Sequence, residues 1–119
     1  MGDDSIEIHV EQIDDVTCVT LVDLEIPIAY LEMMQREIMG HLDGNDGMKI
    51  IVDFGQVLYL PTPALGAMVN IHTQTLHRGG QLCLVGLSER LTEMFHVSKL
   101  DQLFSIHADV DSAMTSMGS

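Results

Sequence analysis

The first part of the chain shows two runs of residues typical of β-strands. Ile6, Ile8 and Val10 alternate with polar residues, and an acidic pair at 14–15 separates them from a β-branched run at 16–22. Because alternation with a period of two indicates a half-buried strand, the two runs predict an antiparallel hairpin.

A helix is predicted next. Pro27 suits a first helical turn, and Gly44 suits a position just beyond a helix end. Between them apolar residues recur at spacings of three and four, which indicates an amphipathic helix of about four turns. These residues are Ile28, Leu31, Met34, Ile38 and Leu42.

The central part of the chain predicts a buried strand and a second helix. Residues 49–54, KIIVDF, form a near-continuous apolar run of the kind found in strands that are covered on both faces. A helix is expected to begin near Pro63 and to end at the glycine pair 79–80, where a left-handed cap costs little. Its inward stripe is predicted to contain Leu65, Met68, Val69, His72 and Leu76.

The C-terminal part predicts a strand at 81–85, a short helix at 89–97, a strand at 104–106 and a helix at 110–117. The complete order predicts an α/β fold, in which an N-terminal β-hairpin leads into a mostly parallel sheet of about four to five strands with about four helices. The length of 119 residues fits one domain over 1–119, with its core at about 6–117.

Composition and charge narrow the classes of partner. With 46% hydrophobic and 19% charged residues, the chain has the composition of a folded domain. Its net charge of -13 opposes binding to nucleic acid and to anionic membranes, because both carry negative charge. Residues 1–53 hold 13 of the acidic residues against Arg36 and Lys49, and this uneven charge serves either to steer basic partners or to keep the protein soluble.

The cysteines and the N-terminal residues indicate the cellular compartment of the protein. Cys18 and Cys83 lie inside apolar runs, which favours buried reduced thiols over a disulfide or a metal site. No window reaches the roughly 18 apolar residues of a membrane span, and the first residues lack the features of a signal peptide. We therefore expect a cytoplasmic protein.

The sequence gives little support for catalysis. It contains no local motif of zinc, dinucleotide, phosphate-loop or hydrolase chemistry. His72 and His77 are five residues apart, so on a helix they point about 140° apart and do not share a metal-binding face. For Ser88, between a strand and a helix, an N-cap role is favoured over that of a nucleophile. We expect no catalytic residue, no metal and no cofactor.

The most informative segment is 57–68, VLYLPTPALGAM, which leads into the second helix. Thr62 is expected to be the N-cap, with its hydroxyl accepting a free backbone N–H, and Pro63 is expected at the first helical position. Residues 64–67 then form a turn with little side-chain bulk, a surface that lets another backbone approach closely.

Three segments together resemble the STAS domain of bacterial anti-sigma factor antagonists. They are KIIVDFGQVLYLPTPALGAM, RGGQLCLVGLSERLTEMF and LDQLF. In that family a buried strand, a DSSG turn, a helix, an RGG turn, a further strand and a terminal Leu-Asp motif follow in this order at matching distances. The resemblance extends over nearly the whole chain from about Ile6, and it implies a STAS fold.

The resemblance also implies a function in signal transduction and transcription regulation without catalysis. In the family, the first serine of DSSG is phosphorylated by a partner kinase that is itself the anti-sigma factor, and that position falls on Thr62. The family pattern is kept at Leu65 and Gly66 and is changed at Pro61, Pro63 and Ala64, which replace its Asp, its second Ser and its first Gly.

Ligands of parallel sheets gather at the carboxyl ends of the strands, so we expect the partner surface to surround Thr62. The expected partner is an anti-sigma factor related to serine/threonine kinases. The surface is predicted to contain Asp23, Leu24, Glu25, Asp53, Pro61, Thr62, Pro63, Ala64, Leu65, Gly66, Leu87, Ser88 and Glu89.

Two other functions stay open at the level of sequence. The chain could be a scaffold protomer that assembles with other STAS domains through the exposed edge of its hairpin. It could also sense a small ligand, such as a nucleotide, at the same end of the sheet. A hydrolase built on Thr62 or Ser88 is disfavoured, because a nucleophile needs a positioned base.

Overall fold

The computed structural model describes residues 8–23 and 25–118 and has an α/β fold. Its five-stranded sheet has the order β1-β2-β3-β4-β5, with an antiparallel first pair and parallel pairs thereafter. The predicted fold class and order of elements are confirmed. The strands are β1 (Ile8–Ile13), β2 (Val16–Leu21), β3 (Lys49–Asp53), β4 (Gln81–Val85) and β5 (Ser105–His107). The helices are α1 (Leu31–Gly40), α2 (Pro63–His77), α3 (Glu89–Val97) and α4 (Val110–Gly118), with 3-10 turns at Ile28–Tyr30 and Leu100–Gln102.

Strand β1 forms an edge of the sheet and is more exposed than its pattern predicted. Asp14 adopts a φ of 55° in the hairpin turn, and Val10 pairs with Val19 of β2. Val10 was expected on the buried face, but it is exposed because it borders an open hollow between β1 and the end of α1. Ile6 lies outside the described residues.

The sheet carries apolar side chains on both faces. One face, with Val19, Val52 and Leu84, packs against α1, α2 and α3. The other face packs against Ala113 and Met117 of α4. Because both faces of β3 are covered, the apolar run in that strand is buried, as predicted.

The two cysteines are buried and free, which confirms the prediction of buried thiols. Cys18 on β2 and Cys83 on β4 both pair with Ile51 of β3, from opposite sides. Two strand spacings of about 4.8 Å therefore separate them, which is too far for a disulfide. Burial raises the pKa of the Cys18 thiol, so this group stays protonated.

The first predicted helix is interrupted near its start. Ile28 belongs to the separate 3-10 turn and is 63% exposed, so its placement in the buried stripe was wrong. The backbone of Tyr30, at φ -101° and ψ 0°, separates the turn from α1, and the helical periodicity therefore does not extend back to Ile28. Leu31, Met34 and Ile38 are buried as predicted.

Helix α2 buries a face slightly rotated from the predicted one. Leu76 was expected inward but is 53% exposed, and Thr75 takes the fully buried position. The Thr75 hydroxyl donates a hydrogen bond to the Ile71 carbonyl at 2.8 Å, which satisfies a polar group in the core. Because this hydrogen bond satisfies its hydroxyl, Thr75 can occupy the buried position that the apolar pattern assigned to Leu76.

The predicted left-handed end of α2 is confirmed. Gly79 has a φ of 73°, and the N–H groups of Gly79 and Gly80 donate to the carbonyls of Leu76 and Thr75, both at 2.9 Å. These two bonds form a Schellman motif. Gly80 also lies directly against the chain that enters β3, where the Gln81 N–H donates to the Met48 carbonyl at 3.0 Å.

Helix α3 begins as predicted. The Ser88 hydroxyl accepts a hydrogen bond from the Leu91 N–H at 3.2 Å, which confirms Ser88 as the N-cap. Leu91 and Phe95 are buried, and Phe95 packs edge-on against Phe104 with ring centroids 5.7 Å apart. Phe104 was predicted to begin the last strand, but it precedes β5 and belongs to the core instead.

His72 is a core residue, which agrees with the structural role favoured by its position. Its ring lies 5.0 Å from that of Phe104, and its Nδ1 atom is buried with no hydrogen-bond partner in the described part of the chain. Burial lowers the pKa of His72, so the neutral ring is favoured.

Within residues 8–23 and 25–118, no helix has both the length and the hydrophobicity that crossing a membrane requires.

Gly80→Ala is expected to destabilise the fold, because a Cβ atom at this position would lie 2.3 Å from the Met48 carbonyl oxygen. The loss should be about 1–3 kcal/mol, as is typical of overpacking. Gly66→Ala is the matched control, since a Cβ there meets nothing within 4 Å and a helical alanine should raise stability by about 0.5–1 kcal/mol. Urea unfolding followed by circular dichroism measures both, and equal stabilities of the two variants would contradict this packing.

Candidate functional site

The chain between β3 and α2 is held across the end of the sheet. The Phe54 N–H donates to the Val85 carbonyl at 2.9 Å, and the Val57 N–H donates to the Phe54 carbonyl at the same distance. Both apolar side chains are buried. Further along, the Ile26 N–H donates to the Tyr59 carbonyl at 3.2 Å. These contacts fix the place where the chain reaches Thr62.

Thr62 is exposed, but it does not cap α2 in the predicted way. Its backbone is already helical, at φ -52° and ψ -41°, and its side chain makes no capping hydrogen bond. A hydroxyl reaches the following N–H groups when the capping residue is extended, and that geometry is absent here. The first bonds of the turn instead run from the Ala64 N–H to the Pro61 carbonyl at 2.8 Å and from the Leu65 N–H to the Thr62 carbonyl at 3.0 Å.

The Thr62 hydroxyl is therefore open to solvent and hydrogen-bonds to none of the described residues. Pro63 occupies the first helical turn as predicted and is exposed beside it. No base of the described chain holds this hydroxyl for attack, so the geometry presents a group that another molecule can reach.

The following turn is less accessible than its small residues suggested. Ala64 is 0% exposed, and Leu65 and Ala67 are also buried, because this turn packs on the sheet. The expectation that the Ala64 side chain belongs to the partner surface is thus wrong. Gly66 is exposed, and Leu65 contributes to the wall of a neighbouring groove.

That groove, which we call the α2–α3 groove, has a volume of about 500 Å³. It lies between the start of α2 and the outer side of α3, whose position is fixed by the buried Leu91 and Phe95. Thr62 therefore lies at the edge of a concave and largely apolar surface. The groove is lined by Tyr59, Leu60, Thr62, Leu65, Arg90, Leu91, Glu93, Met94, Val97 and Ser98.

Exposed apolar side chains continue from this groove. Val97 is 72% exposed and Tyr59 48% exposed, and Leu58 is also exposed. The Arg90 guanidinium lies over the Tyr59 ring, with Cζ 5.0 Å from its centroid. A concave apolar surface of this kind, with few charges at its edge, is typical of a site that binds another macromolecule.

Asp53 lies outside the α2–α3 groove. It borders a separate hollow of about 430 Å³ beside α4, together with Asp109 and Asp111. The Asp53 carboxylate accepts a hydrogen bond from the Gly55 N–H at 2.8 Å. Hydrogen bonds from Ser112 hold the pKa of Asp109 below its usual range, so this hollow carries negative charge. The single surface expected around Thr62 is thus divided into an apolar groove and an acidic hollow.

The other predicted surface residues that the structure describes do not line the groove. Glu25 is exposed and forms a parallel bridge with Tyr59, and Asp23 is half-buried just before it. Leu87 and Ser88 are half-buried at the start of α3, and Glu89 is exposed. Pro61 is half-buried next to Thr62, and Leu24 lies outside the described residues.

The contribution of α3 to the groove was not among the predicted surface residues beyond Glu89. Arg90, Met94 and Val97 lie at spacings of four and three, so they share the helix face that borders the groove. The buried Leu91 and Phe95 are four residues apart and form the neighbouring, core-facing stripe of the helix, and Leu91 also reaches the groove. An apolar Val97 outside the buried stripe was the available signal.

In the described part of the chain, no group of three or more His, Cys, Asp or Glu side chains is placed to hold a metal ion.

Comparisons with known proteins point to one family. A curated relative is the anti-sigma-B factor antagonist of Listeria monocytogenes, 27% identical over 78 residues, which are 66% of this chain and 68% of the relative. Among solved structures, an anti-sigma factor antagonist from Mycobacterium paratuberculosis is similar, with a TM-score of 0.85, 20% identity, and coverage of 99% of this chain and 98% of the other.

A second similar structure is the Bacillus cell fate determinant SpoIIAA in its phosphorylated form. It has a TM-score of 0.71 and 15% identity, and the match covers 92% of this chain and 98% of the other. The family model of the STAS domain matches residues 7–113. The chain therefore belongs to the STAS domain family and is similar to its anti-sigma factor antagonists.

Proposed function

We propose that this protein is an anti-sigma factor antagonist that captures an anti-sigma factor with kinase activity at the α2–α3 groove. Phosphorylation of Thr62 by that partner would end the binding. Pro61, Pro63 and Gly66 would contribute beside Thr62, and Asp23, Glu25, Leu87, Ser88 and Glu89 would lie around the groove. The proposal also includes Asp53, which lies beside α4, and Leu24, which lies outside the described residues.

One observation carries this proposal: an exposed threonine hydroxyl stands at the edge of an apolar groove. The groove offers area for binding, and the hydroxyl offers a place for modification within the same contact. A curated relative is an anti-sigma-B factor antagonist, which supports an anti-sigma factor as the partner. The similar Bacillus protein is known in a phosphorylated form, which supports the kind of switch.

The switch has a simple physical basis. In the transfer, the Thr62 oxygen bonds to the γ-phosphorus of ATP, the bond to the bridging oxygen of ADP breaks, and the hydroxyl proton passes to a base of the kinase. The product carries about -1.5 to -2 charges at the edge of an apolar contact. A bound partner would have to desolvate this charge, and a penalty of about 3 kcal/mol weakens binding roughly a hundredfold.

The same geometry supports a role in binding rather than catalysis. A nucleophilic hydroxyl needs a base within hydrogen-bond reach, whereas the Thr62 hydroxyl contacts none in the described chain. The two free buried thiols support action in the reducing cytosol.

A scaffold role is a second candidate, favoured by one observation. β1 is an edge strand of the described sheet and exposes Val10, so its backbone could pair with another STAS domain. This role would use the opposite side of the molecule from α3, since β1 lies at the far end of the strand order.

Thr62→Glu is expected to reduce capture of the kinase-type anti-sigma factor about a hundredfold, because it places a carboxylate at the edge of the groove. Thr62→Ala should bind like the wild type. Immobilised proteins are incubated with extract of the native cell and ADP, and the captured anti-sigma factor is quantified by mass spectrometry. Thr73→Glu, at an exposed position farther along α2, is the control and should not change capture. Equal capture by the wild type and both Thr62 variants would reject Thr62 as the switch.

Val97→Asp is expected to weaken capture of the same partner at least tenfold, because it places a charge in the apolar contact while the exposed side chain leaves the fold intact. Leu76→Asp is matched to it, since Leu76 is also an exposed apolar residue but lies on α2 away from the groove. Titration calorimetry with the purified partner gives both dissociation constants. The groove would be excluded as the contact if Val97→Asp bound normally and Leu76→Asp did not.

A further inference from the structure

The position of Arg90 differs from that of Arg36, Lys49 and Arg78. Arg36, Lys49 and Arg78 each contact a carboxylate, at 2.8, 3.0 and 3.1 Å respectively. Arg90 instead lies over the Tyr59 ring, and no carboxylate of the described residues is within ion-pair distance of it. Its guanidinium N–H groups are therefore not committed to an acidic side chain.

Arg90 and Thr62 share the α2–α3 groove. Both line it, and Tyr59, on which the guanidinium rests, precedes Thr62 by three residues. Arg90 is the cationic side chain in the described lining of the groove, and Glu93 is the acidic one. A phosphate on Thr62 would consequently enter a space that holds one guanidinium.

We propose that Arg90 is the receptor for the phosphate on Thr62, and that phosphorylation draws its guanidinium from the Tyr59 ring across the groove. This inference rests on the proposed phosphorylation of Thr62. The group that Arg90 would bind is thus a phosphate on the same chain. Arg90 would hold that phosphate in place in the inactive, phosphorylated state.

The chemistry favours this exchange of contacts. A cation over an exposed ring is held by a modest electrostatic attraction, whereas a guanidinium and a phosphate form charge-assisted, bidentate hydrogen bonds. The phosphate presents three acceptor oxygens, and the planar fork of Arg90 matches two of them. Glu93 opposes the phosphate by repulsion, so the guanidinium is the group that offsets the added charge.

The exchange would close the groove from within. An Arg90 side chain that bridges to Thr62 lies over the groove wall formed by Leu65 and Met94. The phosphorylated protein would then lose part of its binding surface as well as gain negative charge. Loss of partner binding would therefore not depend only on repulsion between the partner and the phosphate.

The test uses the full chain with phosphothreonine incorporated at position 62 during translation, so it does not depend on any kinase. Phosphorus NMR follows the second ionisation of the phosphate, which has a pKa near 6 when unperturbed. With Arg90 in place, this pKa is expected to be about 1 lower than in Arg90→Gln, because the guanidinium favours the dianion. Arg36→Gln, which removes an arginine outside the groove, should leave the pKa as in the wild type.

A second readout follows the side chain directly. In the unmodified protein the Arg90 side-chain protons should be shifted upfield by the Tyr59 ring, and this shift should disappear in the phosphorylated protein. An equal phosphate pKa in the wild type and in Arg90→Gln, or an unchanged Arg90 signal on phosphorylation, would overturn the inference. Either result would leave the proposed function standing, whereas equal partner capture by the Thr62 variants would remove that function without affecting this measurement.

Discussion

The structure depends on how the short segment after β3 is held against the end of the sheet. Phe54 and Val57 are buried, and the backbone hydrogen bonds to Val85 and from Ile26 leave the chain one path to α2. Because that path is fixed, Thr62 emerges at the surface instead of in the core. The same path places Tyr59 under Arg90, so one packing constraint determines the positions of both the exposed Thr62 and the ring that Arg90 contacts.

Helix α3 supplies the second half of the site, and one local hydrogen bond and one contact outside the helix determine its position. Ser88 sets where the helix begins, and Phe95 sets how it lies by packing against Phe104. The outer side of the helix is then left uncovered with Val97 exposed. A buried stripe on one side and an exposed Val97 beside the groove together make α3 suitable for contact with another protein.

The sequence was sufficient where local physics decides the structure. The covered apolar strand β3, the glycine end of α2 and the Ser88 cap follow from short-range patterns, and each is observed. It was insufficient where the detailed geometry of a turn, or a contact between two elements, decides the outcome. Thr62 is helical because Pro61 already accepts the first bond of the turn, and Thr75 displaces Leu76 because its hydroxyl is satisfied within the helix. The Arg90 contact with Tyr59 joins two elements and has no local signature.

The central claim is that the α2–α3 groove is the surface that a partner binds. Nuclear magnetic resonance of the isotope-labelled chain, titrated with the captured anti-sigma factor, tests it most directly. The account predicts that amide signals change over residues 59–66 and 90–98, while β1 stays unperturbed. Changes confined to β1, with an unaltered groove, would contradict the account and would favour assembly through the sheet edge.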